Sequence, residues 1–360
     1  MTENAHKLWT RNFLLICLSN LFVFTSFYFL LPTLPVYVTR VLKGDDGNVG
    51  YIIGILTLTA VLVRPLAGYL LDAVGRKKIS LIAVIAFALA MISYNLAASL
   101  ALLFALRALH GFTWGFTTTG FGTIAADVVP APRRGEGMGY YGLSNTLAMA
   151  VGPSLGLYII NVSGFTHLFN ASFVLAAGLA CMLGISYREG KHEKKAGLNL
   201  ESFFEPKVFS LSWLMFFTAV VYGGIVSFIT LYADHMGIKN AGTYFLAYAL
   251  TLLFIRPLAG RYFDKHGPFA IMAAGFIAIA LSFVILFAAH GLPLFLLSAV
   301  VLGLGFGIVQ PTAMAMAINR VAPFRRGAAN GTIMSAFDLG IGLGSIMLGY
   351  LSKVAGLSYM

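Results

Sequence analysis

The sequence predicts an all-α polytopic membrane protein built from two parallel six-helix repeats, with the last helix largely missing from the 360 residues. Composition gives the solvent. Hydrophobic residues make up 59% and charged residues 10%, against about 25% charged in an ordinary soluble domain. Mean hydropathy is +0.86, so too few charges remain to cover a soluble surface. A near-repetition gives the architecture: "RPLAGYLLDAVG" begins at Arg64, and "RPLAGRYFDKHG" begins 192 residues later at Arg256. The third observation is the distribution of positive charge, which alternates from loop to loop.

The apolar runs are continuous and long, roughly 18 residues or more, which suits helical bilayer spans and argues against a transmembrane barrel. Eleven complete spans are expected, over 12–40, 48–72, 79–97, 101–128, 135–161, 165–187, 208–235, 240–263, 269–290, 292–320 and 327–353. The first is no cleaved signal peptide, because "NLFVFTSFYFLLPTLPVYV" lacks a small-residue cleavage site after a short apolar core. Cys17 and Cys181 both fall in apolar spans and are expected to pack, with no disulfide or metal role. No cofactor is expected.

The interval of 192 recurs. It relates Arg133–Gly135 to Arg325–Gly327, Gly111 to Gly303, Gly115 to Gly307, Gly152 to Gly344 and Tyr158 to Tyr350. Spans two to five therefore superimpose on eight to eleven. Six spans per half make the repeats parallel, related by an axis along the membrane normal, with substrate bound between them. The organisation expected is an N-terminal bundle over 1–187, a polar linker over 188–207 and a C-terminal bundle over 208–360.

Lys and Arg number 24 against 13 Asp and Glu, a net charge of +11. With the N-terminus placed inside, 17 of the basic residues lie in inner segments, and only Arg40, Lys43, Lys239 and Lys353 lie in outer ones. That asymmetry puts the N-terminus and the 188–207 loop in the cytoplasm. The charge orients the chain in its membrane and implies no nucleic-acid partner.

"GYLLDAVGRKK" resembles the loop signature between spans two and three of the major facilitator superfamily, at Gly68, Asp72, Gly75, Arg76, Lys77 and Lys78. Three further stretches are similar to motifs of its drug:proton antiporter branch. They are the paired prolines Pro32 and Pro35, the Arg107 and Gly111 of "RALHG", and the Gly152, Pro153 and Gly156 of "AMAVGPSLG". The resemblance covers the whole chain and implies a proton-driven exporter of small molecules that works by alternating access. In one respect the chain departs from the pattern. Some multidrug members carry a buried acid in span one, where this sequence has only Asn20, Thr25, Ser26 and Tyr28 as polar groups.

Most acids lie in tails, loops or span ends; among the loop residues are Glu136 and Glu205. Asp338 alone lies deep, about eleven residues or ~16 Å into its span. A charge there costs several kcal/mol unless paired or hydrated. It suits a proton-coupling group, or a hydrogen-bonded acid that holds helices together. The resemblance assigns Arg107, about six residues from the outer end of span four, to proton coupling; a snorkelling or structural arginine is the alternative. His110, one turn on, is either a relay or a packing residue. Arg64 and Arg256 precede prolines and are expected to brace the inner gate.

The repeated phrase then has a physical reading. In this fold spans two and eight face spans eleven and five of the other half. Gly68 and Gly260 permit close approach. Asp72 and Asp264 place carboxylates near the helix N-termini that follow the two "RRG" triplets, where the helix dipole attracts them. Each Asp thus becomes an inner-gate latch. Arg76 and Asp127 are expected to strengthen the first, whereas Gly267-Pro268 replaces Gly75-Arg76 in the second.

The family's geometry lines the pathway with spans one, four, seven and ten, which offer Asn20, Tyr28, Trp114, Thr118, Tyr222 and Gln310 as cavity residues. An aromatic cavity favours amphipathic or cationic solutes. An importer of a sugar, organic acid or other nutrient is the alternative function. An enzyme is disfavoured, since no His-Glu-x-x-His, Gly-x-Ser-x-Gly or phosphate-loop pattern occurs. The expected partners are a small-molecule substrate, protons and the lipid bilayer, with the chain a monomer in the plasma membrane. By the 192-residue register a counterpart of span six would begin near 357. The natural protein is therefore expected to be longer by at least ~20 residues. Its intact mass checks this, and a mass matching 360 residues would refute it.

Overall fold

The computed structural model describes residues 7–44, 46–176, 178–186, 203–238 and 242–355, with helices and turns and no strand among them. The helices are α1 (Arg11–Arg40), α2 (Asp46–Val74), α3 (Arg76–Ser93), α4 (Leu100–Val128), α5 (Arg134–Leu175), α6 (Gly178–Leu183), α7 (Phe209–His235), α8 (Gly242–His266), α9 (Phe269–Phe287), α10 (Leu292–Arg320) and α11 (Arg326–Ala355). Most of the expected linker, Asp45, Lys239 and residues 356–360 lie outside the described residues, as do the side chains of Asp234, Tyr350 and Lys353. Among the described residues nine helical stretches are long and apolar enough to cross a membrane.

Local chemistry starts and bends these helices. Thr10 and Ser99 cap α1 and α4 by accepting from the N–H groups of Phe13 and Leu102, each at 3.2 Å. Prolines sit inside α1, α2, α5, α8 and α10, positions that neighbouring helices tolerate in a membrane.

The fifth and sixth spans are not separated by a loop. They join at Gly164, whose φ of 82° and ψ of 179° reverse the chain in one residue. Residues before it run parallel to α1, with Tyr141 bonded to Asn20 and Gly156 against Phe29. Residues after it return antiparallel. Phe165 packs on Tyr37, the Ser26 hydroxyl donates to Ser172 O at 2.9 Å, and Asn12 bonds to Ser186. The break expected between 161 and 165 falls on this glycine, beside the turn-forming Asn161 and Ser163; the new finding is that one residue suffices for it.

Helices α1 to α6 pack on one another around Phe13, Phe87, Tyr94, Phe121 and Phe169. The second half packs around Tyr244, Phe295 and Phe306. Large apolar side chains such as Leu62, Trp213, Phe254, Ile277 and Val284 remain exposed, as a lipid-facing surface requires. Since lipid is as apolar as leucine, the halves must cohere by close packing and polar contacts. They do so where α2 lies along α11 and α5 along α8.

Both crossings are built on glycine. A Cβ on Gly68 would stand 2.6 Å from Gly327 O, and one on Gly331 would stand 2.7 Å from Arg64 O. In the other crossing, a Cβ on Gly135 would stand 2.6 Å from Gly260 O, and one on Gly139 would stand 2.6 Å from Arg256 O. Members of the two sets are 192 residues apart. Gly327→Val and Gly260→Val should therefore each destabilise by ~1–3 kcal/mol through overpacking. Thermal melting in detergent would read this as a drop in Tm. Gly54→Ala, with nothing within 4 Å of the new carbon, should leave Tm nearly unchanged.

Candidate functional site

At the end of the molecule bearing the "RRG" triplets, Asp72 on α2 accepts from Gly327 N at 3.0 Å and Ala328 N at 2.8 Å, the first turn of α11. These are orphan donors of a helix start, where a carboxylate is also favoured by the dipole. Arg76 donates to Asp72 at 2.9 Å and also contacts Asp127 and Pro323 O. Asp127 in turn pairs with Arg326 at 2.6 Å. The cluster joins α2, α3, α4 and α11, and its carboxylates are nearly fully buried.

The second copy repeats the central contact. Asp264 on α8 accepts from Gly135 N at 2.8 Å and Glu136 N at 2.9 Å. Its ionic supplement comes from a residue that the sequence put in a loop without a role. Glu136 is 4% exposed and pairs with Arg133 and, across the halves, with Arg261, both at 2.7 Å. The signal was present: Glu136 stands where the second repeat has Ala328. Glu205 was likewise placed in the linker, yet it is buried and pairs with Arg325 at 2.5 Å, pinning the chain before α7 to the start of α11.

Deeper, the two repeated arginines occupy equivalent frames with different chemistry. Arg64 Nε donates to Asp338 Oδ2 at 2.8 Å, and its Nη1 donates to Thr118 and Thr119 at 2.9 and 3.2 Å. This ion pair crosses between the halves, from α2 to α11. Arg256 makes the reciprocal crossing, from α8 to α5. It donates to Gly142 O, to Thr146 Oγ1 at 3.0 Å and to Gln310 Oε1 at 2.7 Å. Thr146 and Asp338 are 192 residues apart, as are Thr118 and Gln310. One frame therefore contains an acid where the other contains a hydroxyl.

The residues grouped for proton coupling fall in two places. Arg107 donates to Ile52 O at 2.9 Å and to His110 Nδ1 at 3.3 Å, and Tyr94 Oη lies 3.0 Å from the same ring nitrogen. With Nδ1 accepting from a guanidinium, the ring proton sits on Nε2, an assignment that follows from the contacts. His110 is enclosed by Phe27, Phe87 and Trp114 within the first half. Asp338 bonds instead to Arg64, beside Thr118, about 16 Å along α4 from Arg107.

A cavity of about 100 Å³ lies between the halves, lined by Asn20, Thr118 and Gln310 from the expected set and by Tyr141, Asn145, Arg256 and Asn330. The other expected cavity residues sit elsewhere. Trp114 stacks on Phe27 at 4.3 Å, Tyr28 donates to Asn145 at 3.3 Å, and Tyr222 stacks near Phe337 and contacts Met149. Asn330 spans the halves by donating to Thr119 O at 2.8 Å.

The family model of the Major Facilitator Superfamily matches residues 16–345. The chain belongs to this superfamily. It is a multi-pass membrane protein that transports small molecules. The staphylopine export protein of Staphylococcus aureus is 26% identical to it, over 87% of this chain and 82% of its own. Multidrug resistance protein 1 of Bacillus subtilis is 24% identical, over 95% and 90%. In fold the chain is similar to the human organic anion transporter MFSD10 (TETRAN), with a TM-score of 0.82 and 18% identity over 97% of this chain and 95% of that one.

Within this superfamily member, the Gly-Pro motif lies where α5 crosses α1. A Cβ on Gly152 would meet Tyr28 Cβ at 2.5 Å, and one on Gly156 would meet Phe29 O at 2.7 Å, with Pro153 between them. At the basic end, Asp72→Asn should loosen α2 from α11, because hydrogen bonds to a buried charge are worth ~1.5–3 kcal/mol. Asp264→Asn should act in the same direction but less, since Asp264 is only half-buried. Spin-label distances between the facing ends of α2 and α11, and of α8 and α5, would read the effect as a longer-distance population. Unchanged distributions would count against it.

Proposed function

We propose that the chain is a proton-coupled exporter that binds its cargo between the two halves and alternates access to it. The observation that carries this reading is the Arg64–Asp338 pair. Asp338 is the deep acid of the sequence, it is 17% exposed at the side chain, and its partner lies on the opposite half. A proton taken up at Oδ2 of Asp338 neutralises the carboxylate and ends the ion pair. Arg64 stays charged, because a guanidinium does not deprotonate, and keeps its bonds to Thr118 and Thr119. Protonation thereby weakens the cohesion of α2 with α11 at mid-membrane, and deprotonation restores it. A difference of a few kcal/mol between states is enough to shift such an equilibrium.

Asp72 and Asp264 act as the inner-gate latches of this cycle, with Arg76, Asp127, Glu136 and Arg261 as their ionic supports. The halves part at this end when the latches release. Arg107 braces α2 against α4, with His110 as its second acceptor. The excess of basic residues at the latch end supports a cytoplasmic location for it and for the N-terminus. Both halves and the cavity belong to one chain, so transport needs no second copy. Export, rather than uptake, is supported by the Gly-Pro motif and by the export and resistance named in the two relatives.

Asp338→Asn should lower substrate-driven proton movement in reconstituted vesicles by at least ~10-fold. The single variant should also melt earlier, because removing one partner of a buried pair strands the other. The double variant Arg64→Gln/Asp338→Asn should regain stability without regaining coupling. Proton movement that persists in the stable double variant would sink the scheme.

A further inference from the structure

We infer that the cargo carries a negative group, best a carboxylate, and that Arg256 is its binding residue. The inference rests on the reading of the chain as a small-molecule transporter and names the class of molecule moved. It starts from an imbalance between two matched sites. Arg64 and Arg256 occupy the same register position in the two repeats, each crossing to the other half. Each bonds to the same position of the following pathway helix, Thr118 in one case and Gln310 in the other. One partner differs in charge. Arg64 has Asp338, whereas Arg256 has Thr146.

The consequence is electrostatic. Arg256 is 6% exposed and sits on a helix long and apolar enough to cross a membrane. A guanidinium keeps its charge, and a buried cation without an anion is costly. All three of its bonded partners are neutral, a carbonyl, a hydroxyl and an amide oxygen. Among the described residues no carboxylate pairs with it, and its Nε is buried without a hydrogen-bond partner. The phenols of Tyr28, Tyr222 and Tyr248 lie within electrostatic reach of it.

Arg256 also lines the cavity between the halves. A planar carboxylate fits a guanidinium edge with charge-assisted hydrogen bonds. The carboxamide of Asn145, which lines the cavity and whose oxygen already accepts from Tyr28, supplies a further donor. The cavity volume of about 100 Å³ is below the ~300 Å³ of a usual small-molecule site. It admits the charged group, and the rest of the cargo gains room as the halves part. Of the amphipathic or cationic solutes that aromatic content suggested, this keeps the amphipathic and turns against the cationic, because a cation is already resident.

The test uses the full chain in detergent and three probes of equal size: benzoate, benzamide and benzylammonium, at matched ionic strength. Benzoate should raise Tm by at least ~2 °C at saturation, since a ligand that binds only the folded state stabilises it. Benzamide and benzylammonium should not. Arg256→Gln should abolish the rise. Thr146→Asp supplies the missing carboxylate internally, so it should raise Tm without ligand and also abolish the benzoate response; this variant decides the matter if Arg256→Gln fails to fold. Absence of a benzoate effect, an equal effect of benzamide or benzylammonium, or a response that survives Thr146→Asp would overturn the inference. Asp338→Asn separates it from the coupling scheme. The benzoate rise should persist in that variant whether or not proton coupling is lost, so each idea can fail alone.

Discussion

A carboxylate seated on the first turn of a helix from the opposite half is the contact on which the closed end of this protein depends. It is made twice, by Asp72 on Gly327 and Ala328 and by Asp264 on Gly135 and Glu136. In a bilayer the apolar surfaces of two bundles gain little by leaving lipid for each other. Cohesion between the halves must come from hydrogen bonds to charged groups and from close backbone packing. Both are concentrated on the same four helices. The glycines let α2 meet α11 and α5 meet α8 closely, and that approach brings the helix N-termini within reach of the aspartates. Neither device works alone: a side chain at Gly327 would push away the N–H that Asp72 accepts from.

Much of this was legible because the chain says it twice. The 192-residue register paired the glycines, the aspartates and the arginines before any coordinates, and hydropathy located the spans. What escaped were the positions where the copies differ. Glu136 and Ala328 share a register, and only their difference shows that the second clasp has its own ion pair. Thr146 and Asp338 share another, and the exchange of a hydroxyl for an acid was invisible while each half was read for its similarities. The break between spans five and six was legible, since the expected spans end at 161 and resume at 165 beside the turn-forming Asn161 and Ser163. The letters do not say that Gly164 alone makes the turn, at positive φ.

Long-range pairing was the other limit. Sequence distance gave no hint that Asp338 would meet Arg64 rather than Arg107, since all three are isolated charges in apolar spans. Helix geometry decides it. Arg107 lies about three turns along α4 from Thr118, the residue beside which the ion pair forms. There its guanidinium is occupied by Ile52 O and His110. Burial thus sorts the arginines by the acceptors that neighbouring helices offer at each depth.

The two clasps stand on different helix pairs, α2 with α11 and α8 with α5. Two separate points of attachment define a line. While both hold, the halves cannot slide or twist past one another at that end, and the freedom left is rotation about the line that joins the clasps, opposed by the deeper bonds of Arg64 to Asp338 and Arg256 to Thr146. The far ends of the bundles can therefore swing apart or together with every bond at the basic end intact. The clasped end then has the geometry of a door's pair of hinges.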